Sequence, residues 1–159
     1  MSKIAGIKGH SPEAYPDTGL ADGIHTASAI NLPAVLVGGA AFVSLLAAEG
    51  PIETTADAGD RIIVMYSGVL ENPLEGESLP SATTVHVAIF LNGSSVFEET
   101  VLVTPTTTPG NSPLPISIFT GIVVGATGGV SIDVRAETTV VGNTVDAINT
   151  SVVVLVSPN

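Results

Sequence analysis

The stretch Thr83-Thr-Val-His-Val-Ala-Ile-Phe-Leu91, followed by Asn92-Gly93 and then by Ser95-Val-Phe-Glu-Glu-Thr-Val-Leu-Val103, decides the fold class. Extended backbone turns successive side chains to opposite faces. Val85, Val87, Ile89 and Leu91 therefore share one face, and Thr84, His86, Ala88 and Phe90 share the other. An Asn-Gly pair between two such runs is a strong short-range hairpin signal, because both residues accept the positive φ that a two-residue turn requires.

Working outward, residues 61–67 (Arg-Ile-Ile-Val-Met-Tyr-Ser) and 150–156 (Thr-Ser-Val-Val-Val-Leu-Val) are apolar on both alternating faces. They are expected to be covered on both sides. Residues 116–124 and 130–136 flank Gly125-Ala-Thr-Gly-Gly129, which predicts a second hairpin. Residues 27–48 carry no charge and are long enough to raise the question of a membrane span. Asn31, Pro33, Gly38-Gly39 and Ser44 interrupt them, and no Lys or Arg flanks either end. They read as two short buried strands broken at Gly38-Gly39. No stretch has a helical period. The expectation is an all-β domain, a jelly-roll β-sandwich of about eight strands.

Composition narrows the function. Of 159 residues, 4 are Lys or Arg and 15 are Asp or Glu, a formal net charge of −11. Four cations cannot build the basic face that phosphate neutralisation needs, so no nucleic-acid partner is expected. With no Cys, disulfides and thiolate metal sites are excluded. No membrane association is expected either.

Residues 1–26 are expected to form an extended N-terminal arm, and 27–159 the sandwich. Residues 1–22 hold both lysines, Lys3 and Lys8, together with His10, Tyr15 and the turn formers Gly6, Gly9, Pro12, Pro16 and Gly19. They show no apolar periodicity and no continuous apolar core of a signal peptide. Such an arm is either a disordered tail or a segment that orders against a partner. Two loops also stand out. Residues 71–80 are acidic, and 104–115 contain four prolines that favour extended backbone over a sheet ladder.

The order of elements resembles the tumour necrosis factor-like jelly roll, the fold of complement globular heads and of bacterial and phage surface trimers. The resemblance runs over about residues 34–156. It is carried by Gly59-Asp60 leading into 61–67, the Leu91-Asn-Gly93 hairpin, Phe119-Thr-Gly-Ile-Val-Val124 passing by a glycine turn into Val130-Ser-Ile-Asp-Val134, and a terminal apolar strand. It implies a homotrimer. An adjacent subunit would then cover the second face of the 61–67 and 150–156 strands; residues 27–48 folding over that face are the alternative cover.

Reactive constellations are scarce. There is no Gly-x-Ser-x-Gly elbow, no Walker-type lysine after the 125–129 glycines, and no histidine placed as the base of a serine triad. No enzymatic activity and no cofactor are expected. His86 is a weak metal candidate: three copies converging on a threefold axis could hold an ion, although a histidine bonded to a neighbour is the commoner case. His10, Glu13, Asp17, Asp22 and His25 form a second, weaker metal set, and Glu71, Glu75 and Glu77 offer oxygens without the alternation of a calcium loop. Asp133, Arg135 and Glu137 lie on one strand face opposite Ile132, Val134 and Ala136, so Arg135 can bridge two carboxylates. With His86 they are the candidate oligomer-interface residues, and Lys3, Lys8, His10 and Tyr15 are the candidate partner-binding residues of the arm.

Together these features suggest a structural protein of a surface assembly: a trimeric decoration or cement protein on a virion, above all a phage head, docked on a major capsid or other shell protein through its arm. The alternative is a cell- or spore-surface module that binds carbohydrate or protein through loops 71–80 and 104–115. The lack of Trp, with only Tyr15 and Tyr66 present, disfavours sugar stacking.

Overall fold

The computed structural model describes residues 24–29, 34–37, 39, 41–46, 49–72, 82–105, 113–139 and 144–159, with 24–29 and 34–37 described by backbone alone. Ten strands run through them and no helix: β1 (Ile24–Ala29), β2 (Ala34–Val37), β3 (Val43–Ser44), β4 (Ile52–Ala56), β5 (Arg61–Glu71), β6 (Thr83–Leu91), β7 (Ser94–Val103), β8 (Leu114–Val123), β9 (Gly128–Thr138) and β10 (Thr144–Ser157). No helix among the described residues is long and apolar enough to cross a membrane.

The strands form two antiparallel sheets. In the first the order is β1-β10-β5-β8, with β2 also pairing β10; in the second it is β3-β9-β6-β7, with β4 also pairing β9. From β4 to β10 the chain changes sheet at every step except β6 to β7. That alternation makes the sandwich a jelly roll, as the strand pattern suggested. The β6–β7 step is the Asn-Gly hairpin, with Asn92 at φ 50° and Gly93 at φ 81°. Asn92 also ties the turn to β9. Its amide donates to Ser131 O, and its side-chain oxygen accepts from the Ser131 amide, each at 2.8 Å.

The second expected hairpin is not formed. β8 pairs with β5 in the first sheet, whereas β9 pairs with β3, β4 and β6 in the second. The glycine-rich segment between them is a crossing from one sheet to the other. It is held by Val124, whose amide donates to Asp60 O and whose carbonyl accepts from the Gly59 amide, each at 2.8 Å. Each strand thereby turns its apolar face inward from its own side: Ile116 and Ile118 from one, Val130, Ile132 and Val134 from the other.

The core lies between the sheets. β5 contributes Ile62, Val64, Tyr66 and Leu70, β10 contributes Val152 and Val154, and β6 contributes Val85, Val87 and Ile89. Leu45 and Leu46, in the turn after β3, close one side. Buried polar groups are paired where the sheets meet the loops. The Thr83 and Thr138 hydroxyls lie 2.8 Å apart, and Asn72 Nδ2 donates to Val103 O at 3.3 Å. The hydroxyls of Tyr66, Thr144 and Thr150 are exceptions, buried without a well-aligned hydrogen-bond partner among the described residues. Burial pushes the Tyr66 pKa up to about 12, while the neighbouring Thr150 hydroxyl pulls weakly the other way.

A pH prediction follows from Tyr66. The phenol ionises near 10 in an unfolded chain but resists to about 12 in the fold, so between those values the unfolded state has lost a proton the native state keeps. Stability should be unaffected by this group below pH 10 and should fall by about 1.4 kcal/mol per unit above it. Tyr66→Phe should remove that alkaline loss at little cost in stability at pH 7, because the hydroxyl that goes has only the weak, poorly aligned contact with Thr150. Denaturant melts at pH 7, 10 and 11.5 on both proteins check it.

Candidate assembly surfaces

Two outward faces carry the side chains of interest. On β5 the odd-numbered residues point away from the core, and the strand is covered on one side alone: Ile62, Val64 and Tyr66 are buried, while Met65 is 38% exposed. The expectation that 61–67 and 150–156 would be covered on both faces is not met among the described residues. The described strands of residues 27–48 do not supply the cover. β1 and β2 extend the first sheet sideways along β10, and β3 joins the other sheet, because unpaired strand backbone is satisfied by a ladder and not by lying across side chains.

The register sets out this open face in rows, read from β10 through β5 to β8. They are Ser157–Arg61–Val123, Leu155–Ile63–Gly121, Val153–Met65–Phe119, Ser151–Ser67–Ser117 and Ile148–Val69–Pro115, followed by the pair Asp146–Glu71. Phe119 and Val123 are 70% and 62% exposed. The row of three serines makes a shallow groove beside the Met65–Phe119 ridge. Charge sits at the two ends, Arg61 at one and Glu71 with Asp146 at the other. The Arg61 stem lies across Gly121, where a Cβ would come within 3.3 Å of its Cδ, so the glycine leaves room for the arginine. The alternation of 116–124 already placed Phe119 and Val123 together on one face, which is the signal that could have singled them out.

The second face is the outer side of β6 and β9, and it gathers all four candidate interface residues. His86 Nδ1 lies 3.4 Å from Glu137 Oε1, directly across the β6–β9 ladder. Arg135 Nε donates to Asp133 Oδ2 at 2.7 Å, and its guanidinium sits 4.4 Å over the Phe90 ring. Arg135 therefore bridges one carboxylate, with Glu137 taken up by His86. Asp133 is only 5% exposed, and its other oxygen accepts from Ser44 Oγ at 2.7 Å. Phe42 packs edge-on against Phe90 at 5.4 Å. Ser44 and Phe42 escaped sequence reasoning, because it is tertiary pairing that brings Ser44 to Asp133, 89 positions away, and Phe42 to Phe90. Ile132, Val134 and Ala136 face the core as expected.

Among the described residues no group of three or more His, Asp or Glu could hold a metal ion. Asp60, in the turn before β5, accepts from the Asp57 amide at 2.8 Å and the Asn159 amide at 3.2 Å. Its carboxylate thus shapes a turn. Lys3, Lys8, His10 and Tyr15 lie outside the described residues, as do 73–80 and 106–112 of the two loops.

No family model matches the chain, and no curated protein matches it. Solved structures do. The protein of T=1 particles derived from infectious bursal virus superposes with a TM-score of 0.50 at 15% identity, over 83% of this chain and 31% of that one. The Gt strain of infectious bursal disease virus gives 0.49 at 16% identity, over 83% and 31%. A Bacillus endospore appendage protein gives 0.36 at 12%, over 86% and 90%. This chain thus corresponds to about a third of the viral chains' length. Identity this low shows the shared all-β sandwich and nothing finer.

Proposed function

We propose that this is a structural, non-enzymatic protein of a surface assembly, with a virion the favoured setting. One observation carries the reading: a chain of net charge −11 keeps the middle of the β10-β5-β8 face free of charge and, beside one row of serines, apolar. Exposed apolar patches of this kind mark contact surfaces. The likeness to virus-derived particles supports the setting through the fold alone. The face calls for a neighbour; the threefold order of a homotrimer rests on the tumour necrosis factor-like resemblance.

In this reading the arm, carrying Lys3 and Lys8, docks on an acidic shell and leaves the acidic body outward. Tagged full-length chain mixed with the purified particles and pelleted should co-sediment with them. A version lacking Met1 to Asp22 should keep the melting curve of the body and stay in the supernatant. Co-sedimentation that survives the deletion would contradict docking through the arm.

A further inference from the structure

We propose that the outer face of the β1-β10-β5-β8 sheet packs against the same face of a second copy about a twofold axis, so that Arg61 of each copy meets Glu71 of the other. The inference rests on the reading of the chain as a self-assembling structural protein, and on this face it replaces the threefold neighbour that the resemblance implies with a twofold one.

Three observations point to a copy of this chain as the occupant. The first is charge. β5 begins at Arg61 and ends at Glu71, both on the outward face, ten residues and about 33 Å apart. Glu71 stands directly across the ladder from Asp146, so two carboxylates mark this end of the face and one arginine marks the other. Reversing the strand and laying it over itself puts the cation of one copy on the carboxylates of the other, at both ends of the contact. An isologous interface has this property, with residue i on j and j on i.

The second observation is relief. The midpoint of Arg61 and Glu71 falls at the level of Tyr66, between the Val153–Met65–Phe119 ridge and the Ser151–Ser67–Ser117 groove. A twofold axis there lays each ridge in the other copy's groove, and it sets Leu155 and Ile63 against Ile148 and Val69 of the second copy.

The third is area. Three strands about 33 Å long and the shorter β1 of about 20 Å, about 4.8 Å apart, give about 570 Å² per copy, or about 1,100 Å² in all, just above the roughly 1,000 Å² a specific interface must clear. The paired charges of the β6–β9 face are already matched within the chain, so that face has less to gain from a copy.

The test uses the full chain and sedimentation over a range of concentrations. The wild type should be a dimer or an even-numbered assembly. Arg61→Glu and Glu71→Arg should each raise the dissociation constant on the order of tenfold or more, since each places like charges opposite at two symmetric positions. The double variant R61E/E71R should restore association, because each new glutamate again meets an arginine. Phe119→Ser, at an exposed position that does not support the core, should weaken association with an unchanged melt. An odd-numbered assembly that ignores both charge reversals would overturn the twofold contact while leaving self-assembly intact. A monomer at every concentration would overturn both.

Discussion

Replacing Ile62 with alanine is expected to cost about 2–5 kcal/mol of folding stability, since its side chain is completely buried between the sheets. A domain of this size has only about 5–15 kcal/mol in total, so the variant should melt far earlier or fail to fold. Met65→Ser, three residues along the same strand but on the other face, should change the stability of the isolated chain by no more than about 0.5 kcal/mol. Its effect should fall on association. Urea unfolding at low protein concentration measures the first quantity, and sedimentation measures the second. Equal destabilisation by both changes would mean that the outer face is covered within the chain.

Gly68→Ala should be almost as damaging, for a different reason. Gly68 lies in β5 on the core side, and a Cβ there would stand 2.5 Å from the Tyr66 hydroxyl oxygen and 3.0 Å from the ring carbon that carries it. Tyr66 is itself only 2% exposed and has little room to move. Overpacking of this kind costs about 3 kcal/mol at the upper end of its usual range. Adding Tyr66→Phe removes the closest atom, so the double variant should recover part of the loss. A loss unchanged by Tyr66→Phe would show that the hydroxyl is not what excludes the methyl group. Urea titration of the two singles and the double closes the cycle.

Much of this fold was legible because it is local. Asn92-Gly93 announced a hairpin through its positive-φ residues, and the alternation of 83–91 put Val85, Val87 and Ile89 on one face, which the structure turns to the core. The misread hairpin at 125–129 shows where local logic ends. Glycines mark a change of direction, but whether the next strand pairs with the last or crosses to the facing sheet depends on which ladder edges are open. Here β5 offered an edge to β8, and β9 was taken into the middle of the other sheet. β4 went unrecognised for a related reason. Ile52-Glu-Thr-Thr-Ala56 has two apolar ends and a polar middle, too weak an alternation to announce a strand by itself, and its pairing with β9 supplies what the pattern lacks.

The surfaces were half legible. That 61–67 and 150–156 are apolar on both faces was plain in the sequence, and so was the need for a cover. That β1 and β2 do not provide it was not, because they satisfy their backbone by edge pairing with β10, a choice made by long-range hydrogen bonding. The grouping of Asp133, Arg135 and Glu137 followed from strand period. The Ser44 and Phe42 contacts that complete the cluster are tertiary and left no trace in the local pattern.

The most direct test of the account is the solution mass of the full-length chain by light scattering across a range of concentrations. The account predicts a multimer, because the Met65–Phe119 face needs another copy. A chain that stays monomeric however concentrated would contradict it, and the apolar face would then need an explanation outside self-assembly.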